Sequence, residues 1–156
     1  SDKNLIKMEL LRLERNLGGL GLMPPCSTYH RFAPGMTGGK MSSSKPETTI
    51  FMTDSVESMS KKVNRAISGG KSTVEEHRRL GGDCSKDISF QYLKFFFEQE
   101  DSAIAEIRRD YESGRMLAGE IKKLCIDKAS TWLEEISEKR EYWRDRTHEF
   151  ISHDSV

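Results

Sequence analysis

Nine consecutive residues, Gly38-Gly39-Lys40-Met41-Ser42-Ser43-Ser44-Lys45-Pro46, hold two glycines, two lysines and three hydroxyls. Residues of these types can handle phosphate: glycine frees backbone N–H groups to face an anion, serines add donors and lysine neutralises charge. A solvated surface loop would have the same Gly/Ser/Lys composition. A second stretch, Ser68-Gly69-Gly70-Lys71-Ser72-Thr73, has similar chemistry. Two local strings approach the Walker A pattern and fail it. Met41 follows Lys40 where Ser or Thr is required, and Pro34 stands in the first glycine's place; ahead of Gly70-Lys71-Ser72 that place is held by Arg65, and a helix precedes it. A P-loop NTPase is therefore excluded.

The elements that must position these stretches are mostly helical. Residues 2–17 place Leu5, Met8, Leu11 or Leu13, and Leu17 at helical intervals, with Asp2 as N-cap and Gly18-Gly19 as stop. Residues 18–46 turn to Gly, Pro and Ser around one β-like run, 27–32, closed by Pro34 and Gly35. Thr53, Asp54 and Ser55 offer caps for a helix to about Ile67, with Val56, Met59, Val63 and Ala66 or Ile67 inward. Thr73-Val74-Glu75-Glu76 has capping-box spacing and starts a short helix stopped by Gly81-Gly82. Asp87 caps a helix over 88–99 that reads as buried nearly all round through Ile88, Tyr92, Phe95 and Phe96. Residues 101–112 form another, ended by Gly114, and a long amphipathic helix runs from Met116 onward.

The whole chain of 156 residues is 35% apolar and 32% charged, with a mean hydropathy of −0.65. That suits a polar, helix-rich globular chain. The formal charge is zero but unevenly spread: residues 1–80 carry 13 Lys and Arg against 8 Asp and Glu, residues 81–156 carry 12 against 17. An anionic partner prefers the first half. Cys26, Cys84 and Cys125 have no CxxC or His/Cys ligand spacing, which points to reduced thiols in the cytoplasm and to no metal. No apolar run approaches bilayer length and no leader pattern opens the chain. It begins inside charged, apolar-periodic sequence without an initiator methionine, so it reads as part of a longer protein.

The string Lys40-Met41-Ser42-Ser43-Ser44 resembles the KMSKS signature of class I aminoacyl-tRNA synthetases, with Ser43 where the signature has its second lysine. Its continuation, Lys45-Pro46-Glu47-Thr48-Thr49-Ile50-Phe51-Met52-Thr53-Asp54, looks like the tryptophanyl-tRNA synthetases of archaeal and eukaryotic type. So do Ser68-Gly69-Gly70-Lys71-Ser72-Thr73-Val74-Glu75-Glu76-His77-Arg78, Gly81-Gly82-Asp83, Asp87-Ile88-Ser89-Phe90-Gln91-Tyr92-Leu93 and Gly119-Glu120-Ile121-Lys122-Lys123. The sister tyrosyl enzymes share the loop but not the second of these strings.

The resemblance implies a mainly α fold: residues 1–52 as the end of a class I Rossmann catalytic domain, residues 53–156 as an all-helical anticodon-binding domain. It implies a tryptophan–tRNA ligase as the full-length protein, with ATP and Mg2+, L-tryptophan and the tRNA for tryptophan as partners, and a homodimer. Lys40, Ser42 and Ser44 would act in catalysis, and residues from Lys40 through Met41, Ser42 and Ser43 to Ser44 would bind the nucleotide. Lys71, Ser72 and Thr73, with Arg65 and Arg78, would face the anticodon. The family's other signature, HIGH-like, has no counterpart here, since Tyr29-His30-Arg31 is not it, so this chain alone should not activate tryptophan. The alternatives are a non-catalytic RNA-binding module of the same fold and the tyrosyl enzyme. His77 reads as a hydrogen-bonded structural residue, and His30 as a strand-end residue as readily as a nucleotide contact.

Overall fold

Caps and glycine stops divide the chain into six α-helices in a computed structural model that describes residues 2–19, 27–28 and 33–150. The helices are α1 (Asp2–Asn16), α2 (Val56–Arg65), α3 (Val74–Leu80), α4 (Ile88–Tyr92), α5 (Asp101–Glu112) and α6 (Ala118–Arg144). Among the described residues no β-strand forms and no helix is long and apolar enough to cross a membrane. The strand expected over 27–32 falls largely on residues 29–32, and with it His30, outside the described residues.

The chain divides into two compact units, Ser1–Phe32 and Ala33–Val156. In the first, α1 ends at Gly18, whose φ of 75° only glycine adopts readily, and Gly19 N–H closes the stop on the Glu14 carbonyl. No α1 residue is buried; Leu5, Ile6, Leu10 and Leu13 stay exposed along one side.

In the second unit α6 is the spine. Its inward row, Ile121, Cys125, Ala129 and Leu133, is buried, and α2, α4 and α5 all pack on it. Small Cys125 and Ala129 let neighbours approach, while Met59 and Val63 of α2, Phe90 of α4 and Ile107 and Tyr111 of α5 fill the space. Each large side chain so buried contributes about 1.5–3 kcal/mol against exposure. Met59, Val63 and Ala66 face inward as expected, and of the pair Ala66 or Ile67 it is Ala66 that is buried, because the chain leaves helical dihedrals there and Ile67 turns outward; Val56, expected inward, stands exposed in the first turn of α2. Lys122 caps that end of α2, donating to the Asn64 and Ala66 carbonyls at 2.7 and 2.9 Å.

The regular helix expected over 88–99 is corrected. After five residues α4 widens into a π-helical turn, Leu93–Phe97, marked by Glu98 N–H reaching the Leu93 carbonyl at 2.8 Å. The extra residue per turn keeps Tyr92 and Leu93 buried but swings Phe96 outward, to 48% exposure. Phe97 packs edge-on against Trp132 of α6.

Two buried or half-buried carboxylates fasten the segments between helices. Asp87 is completely buried and, among the described residues, bonds to no cation. One carboxylate oxygen caps α4 through Phe90 N–H at 3.0 Å; the other accepts from Gly69 N–H (2.9 Å), the Ser68 hydroxyl (3.1 Å) and the Tyr111 hydroxyl (2.7 Å). Asp54 accepts from Phe51 N–H (2.9 Å), the Ser58 hydroxyl (3.1 Å) and the Lys62 ammonium (2.6 Å), which also reaches the Thr49 carbonyl. Burial alone would raise the pKa of Asp54, but the bonds from Lys62, Phe51 and Ser58 outweigh it and hold the carboxyl below the usual range.

Asp87→Ala should cost about 3 kcal/mol or more of unfolding free energy in urea, because it removes a cap and strands several buried donors. Asp54 has its pKa depressed in the folded state, so its contribution is fully present above the unfolded carboxylate value and is lost as pH falls through the folded one. Asp54→Asn should therefore lower stability at neutral pH and flatten the acid limb of a stability-versus-pH curve below about pH 4.

Candidate functional site

The loop that precedes α2 is closed at its neck by two backbone bonds. Met36 N–H donates to the Thr48 carbonyl at 2.9 Å, and the buried Met36 carbonyl accepts from Ile67 N–H at 3.2 Å. Inside the neck, Gly35 N–H reaches the Gly39 carbonyl at 2.7 Å and Gly38 N–H the Gly35 carbonyl at 2.8 Å, with Gly38 at φ 84°. The far limb turns on Thr48, whose buried hydroxyl accepts from Ser42 N–H (3.1 Å) and donates to the Lys45 carbonyl (2.7 Å). Ser42 and Ser44 share a hydroxyl–hydroxyl bond of 2.9 Å. The Tyr92 hydroxyl points at the Met41 sulfur, 3.6 Å away.

What the loop leaves outward is a short list of charges and donors. Lys40, Ser43 and Lys45 are exposed, and among the described residues neither ammonium has an ion-pair or hydrogen-bond partner. The N–H groups of Ser43 and Ser44 are likewise uncommitted. The loop thus offers unpaired cations and donors on an internally bonded backbone, an arrangement suited to an anionic, phosphate-bearing ligand. Thr48 was not singled out from sequence; a threonine two residues past a proline is too ordinary a signal to reveal its bonding.

The second stretch differs from expectation in one important respect. Glycines there would free backbone N–H groups to face an anion, but the three successive N–H groups of Gly69, Gly70 and Lys71 all turn inward. They donate to the Asp87 carboxylate (2.9 Å), the Ser68 hydroxyl (3.1 Å) and His77 Nδ1 (3.4 Å). A Cβ on Gly69 would collide with the Asp83 carbonyl, and one on Gly70 would crowd Ala118. The glycines therefore serve close packing beneath the turn, and what it can offer a ligand is its side chains. Lys71 and Ser72 are exposed, and Lys71 Nζ is unpaired among the described residues.

Lys71, Ser72 and Thr73 line a groove of about 330 Å³ whose opposite wall is Leu117 to Glu120, the start of α6. Thr73 caps α3, its hydroxyl accepting from Glu76 N–H at 3.1 Å. Glu120 reaches back to Leu117 N–H at 2.6 Å, a bond the leucine side chain cannot return. His77 is 2% exposed and bridges the two walls: its Nε2 lies 2.9 Å from the Met116 carbonyl. Both contacts are satisfied together by the tautomer that carries its proton on Nε2, with Nδ1 accepting from Lys71 N–H and Nε2–H donating to the Met116 carbonyl.

Arg65 and Arg78 are not brought into the groove. Arg65 ends α2 in solvent, and the Arg78 guanidinium is held by the Gly114 carbonyl at 3.0 Å and by the Arg115 carbonyl. Burial pushes the thiols of Cys84 and Cys125 up to about 12, so neither is a nucleophile. Among the described residues no cluster of His, Cys, Asp or Glu could hold a metal ion.

The family model described as tRNA synthetases class I (W and Y) matches residues 9–134. The tryptophan–tRNA ligase of Sulfolobus acidocaldarius is 44% identical over 143 residues, 89% of this chain and 38% of that protein. The cytoplasmic tryptophan–tRNA ligase of Rattus norvegicus is 49% identical over 111 residues, 69% of this chain and 23% of that protein. In structure, the chain is similar to the tryptophanyl-tRNA synthetase of Aeropyrum pernix, with a TM-score of 0.80 at 34% identity, covering 94% of this chain and 41% of that one. The chain thus spans well under half the length of these relatives. With the matched residues taking in both the 38–46 loop and the 68–73 turn, the chain belongs to the class I tRNA synthetases of the W and Y family.

Proposed function

We propose that the chain is the C-terminal part of a cytoplasmic, homodimeric tryptophan–tRNA ligase. Residues 1–52 are the end of its catalytic domain, and residues 53–156 its anticodon-binding domain. The observation that carries this reading is the pairing, on one short chain, of a loop with outward Lys40 and a groove with outward Lys71, within a stretch 44% identical to a tryptophan–tRNA ligase. The rat and rabbit relatives called cytoplasmic support the compartment.

In the full-length enzyme the tryptophan carboxylate attacks the α-phosphate of ATP, supplied with Mg2+, and charge builds on the departing pyrophosphate. Lys40 offers an unpaired ammonium for that charge, and Ser43 and Ser44 offer uncommitted N–H groups. Ser42 and Ser44 act through the bonds that fix the loop, with Ser42 N–H on Thr48 and its hydroxyl on Ser44. Met41 seats the loop against Tyr92. Ser43 cannot replace the signature's second lysine, and Lys45, also unpaired, is placed two residues on to supply that cation.

Anticodon binding falls to the groove. Lys71 pairs with phosphate, Ser72 offers a hydroxyl to an unstacked base, and Thr73 holds the start of α3. Arg65 adds positive charge from the end of α2, while Arg78 contributes by holding α3 against the 113–116 turn.

Lys71→Ala with Ser72→Ala should weaken binding of a tRNA bearing the tryptophan anticodon roughly tenfold at moderate salt, and Lys71→Ala alone should reduce the salt slope of log Kd by about one. Unchanged affinity in a filter-binding titration would count against the groove. In the full-length enzyme Lys40→Ala should slow tryptophan-dependent ATP–pyrophosphate exchange about 100-fold or more; exchange that responds to tyrosine instead would reassign the amino acid.

A further inference from the structure

Only two titratable side chains bond the backbone of the 69–72 turn among the described residues, Asp87 at Gly69 and His77 at Lys71. They differ in one chemical respect. A carboxylate accepts in its charged form, whereas an imidazole accepts only when neutral. Protonated His77 would carry a hydrogen on Nδ1 facing the Lys71 N–H, so the bond at Lys71 would become a donor–donor contact. The other ring nitrogen is already committed to the Met116 carbonyl, one residue before α6's N-cap Leu117, so the ring cannot turn to relieve the contact without breaking its second bond.

The surroundings supply nothing that would offset this. The Tyr111 ring of α5 packs against the imidazole at a tilt of 53° with centroids 5.2 Å apart, but its hydroxyl is directed to Asp87. Arg78, the next residue on α3, sends its guanidinium to the Gly114 and Arg115 carbonyls. Lys71 from the turn and Glu120 from α6 share the groove with His77, and the Glu120 carboxylate is engaged by Leu117 N–H. Among the described residues no carboxylate bonds either ring nitrogen.

We propose that His77 is a positioning residue for tRNA binding: the neutral imidazole holds Lys71 in its binding position, and protonation releases it. The proposal rests on the assignment of the 71–73 groove to tRNA. Its sign is diagnostic. Any other histidine that gains charge as pH falls adds attraction to an RNA phosphate, whereas His77 does the reverse.

The test uses the 156-residue chain and fluorescently labelled tRNA for tryptophan, with affinity measured by anisotropy from about pH 8 to about pH 5 at fixed ionic strength. Wild type should bind roughly three- to tenfold more weakly at the acid end. His77→Gln, whose amide oxygen can accept from Lys71 but does not titrate, should keep the affinity seen at high pH and lose the decline. Thermal melts would confirm that the variant folds. In parallel, the Lys71 amide of the free wild-type chain, followed by NMR hydrogen exchange, should lose protection over the same pH range. Protection unchanged with pH, or a His77→Gln profile that matches wild type, would overturn the proposal and leave the assignment of the groove standing. Loss of protection without loss of affinity would likewise overturn it, while the groove assignment stands or falls with the Lys71→Ala, Ser72→Ala titration.

Discussion

A carboxylate taken fully out of water without a cation must be surrounded by donors, or it does not stay charged and buried. Asp87 meets that demand with four donors drawn from three places: the turn after α2, the first turn of α4 and the last turn of α5. Apolar packing holds α4 and α5 against α6 through Phe90, Ile107 and Tyr111, but it is not directional. The bonds to this one carboxylate add direction, tying the polar 68–73 turn to α4 and α5. Ile88 N–H adds a bond to the Ile67 carbonyl, so the cap residue's neighbour repeats the same attachment through the backbone.

The loop and the turn follow one plan, although they are bonded to different groups. In each, the stretch of glycine and serine directs backbone N–H groups inward, to Thr48 and the Gly39 carbonyl in one case and to Ser68, Asp87 and His77 in the other. Each then presents lysine side chains outward without a partner. A cation carried on a backbone that is bonded on either side of it loses little further backbone freedom on binding, which is the advantage of preorganisation.

Most helices were legible because cap and period agree. Ser55, Thr73 and Asp87 each accept from the N–H three residues on, and Gly114 at φ 76° ends α5 as its position suggests. The π-helical turn was not legible: Phe95-Phe96-Phe97 is apolar at every position, so no periodicity distinguishes a wider turn from a regular one. In the site, the charged residues could be read from sequence and their supports could not. Asp87 was visible as a cap, but nothing local to it shows that its other oxygen serves Gly69, eighteen residues away. For the same reason Arg78 looked like a ligand-facing cation, while its guanidinium is committed to carbonyls 36 and 37 positions on.

Ile67 has both backbone groups engaged in opposite directions, its N–H on Met36 at the neck of the loop and its carbonyl on Ile88 N–H at the start of α4. Its side chain, by contrast, is 45% exposed. The position is therefore permissive to a change of residue and intolerant of a change of length. A single insertion or deletion between α2 and the turn would shift both bonds out of register at once, and compensation would have to arise on two other segments together. Related chains that differ freely in residue type here should still keep the spacing from the loop's neck to the groove.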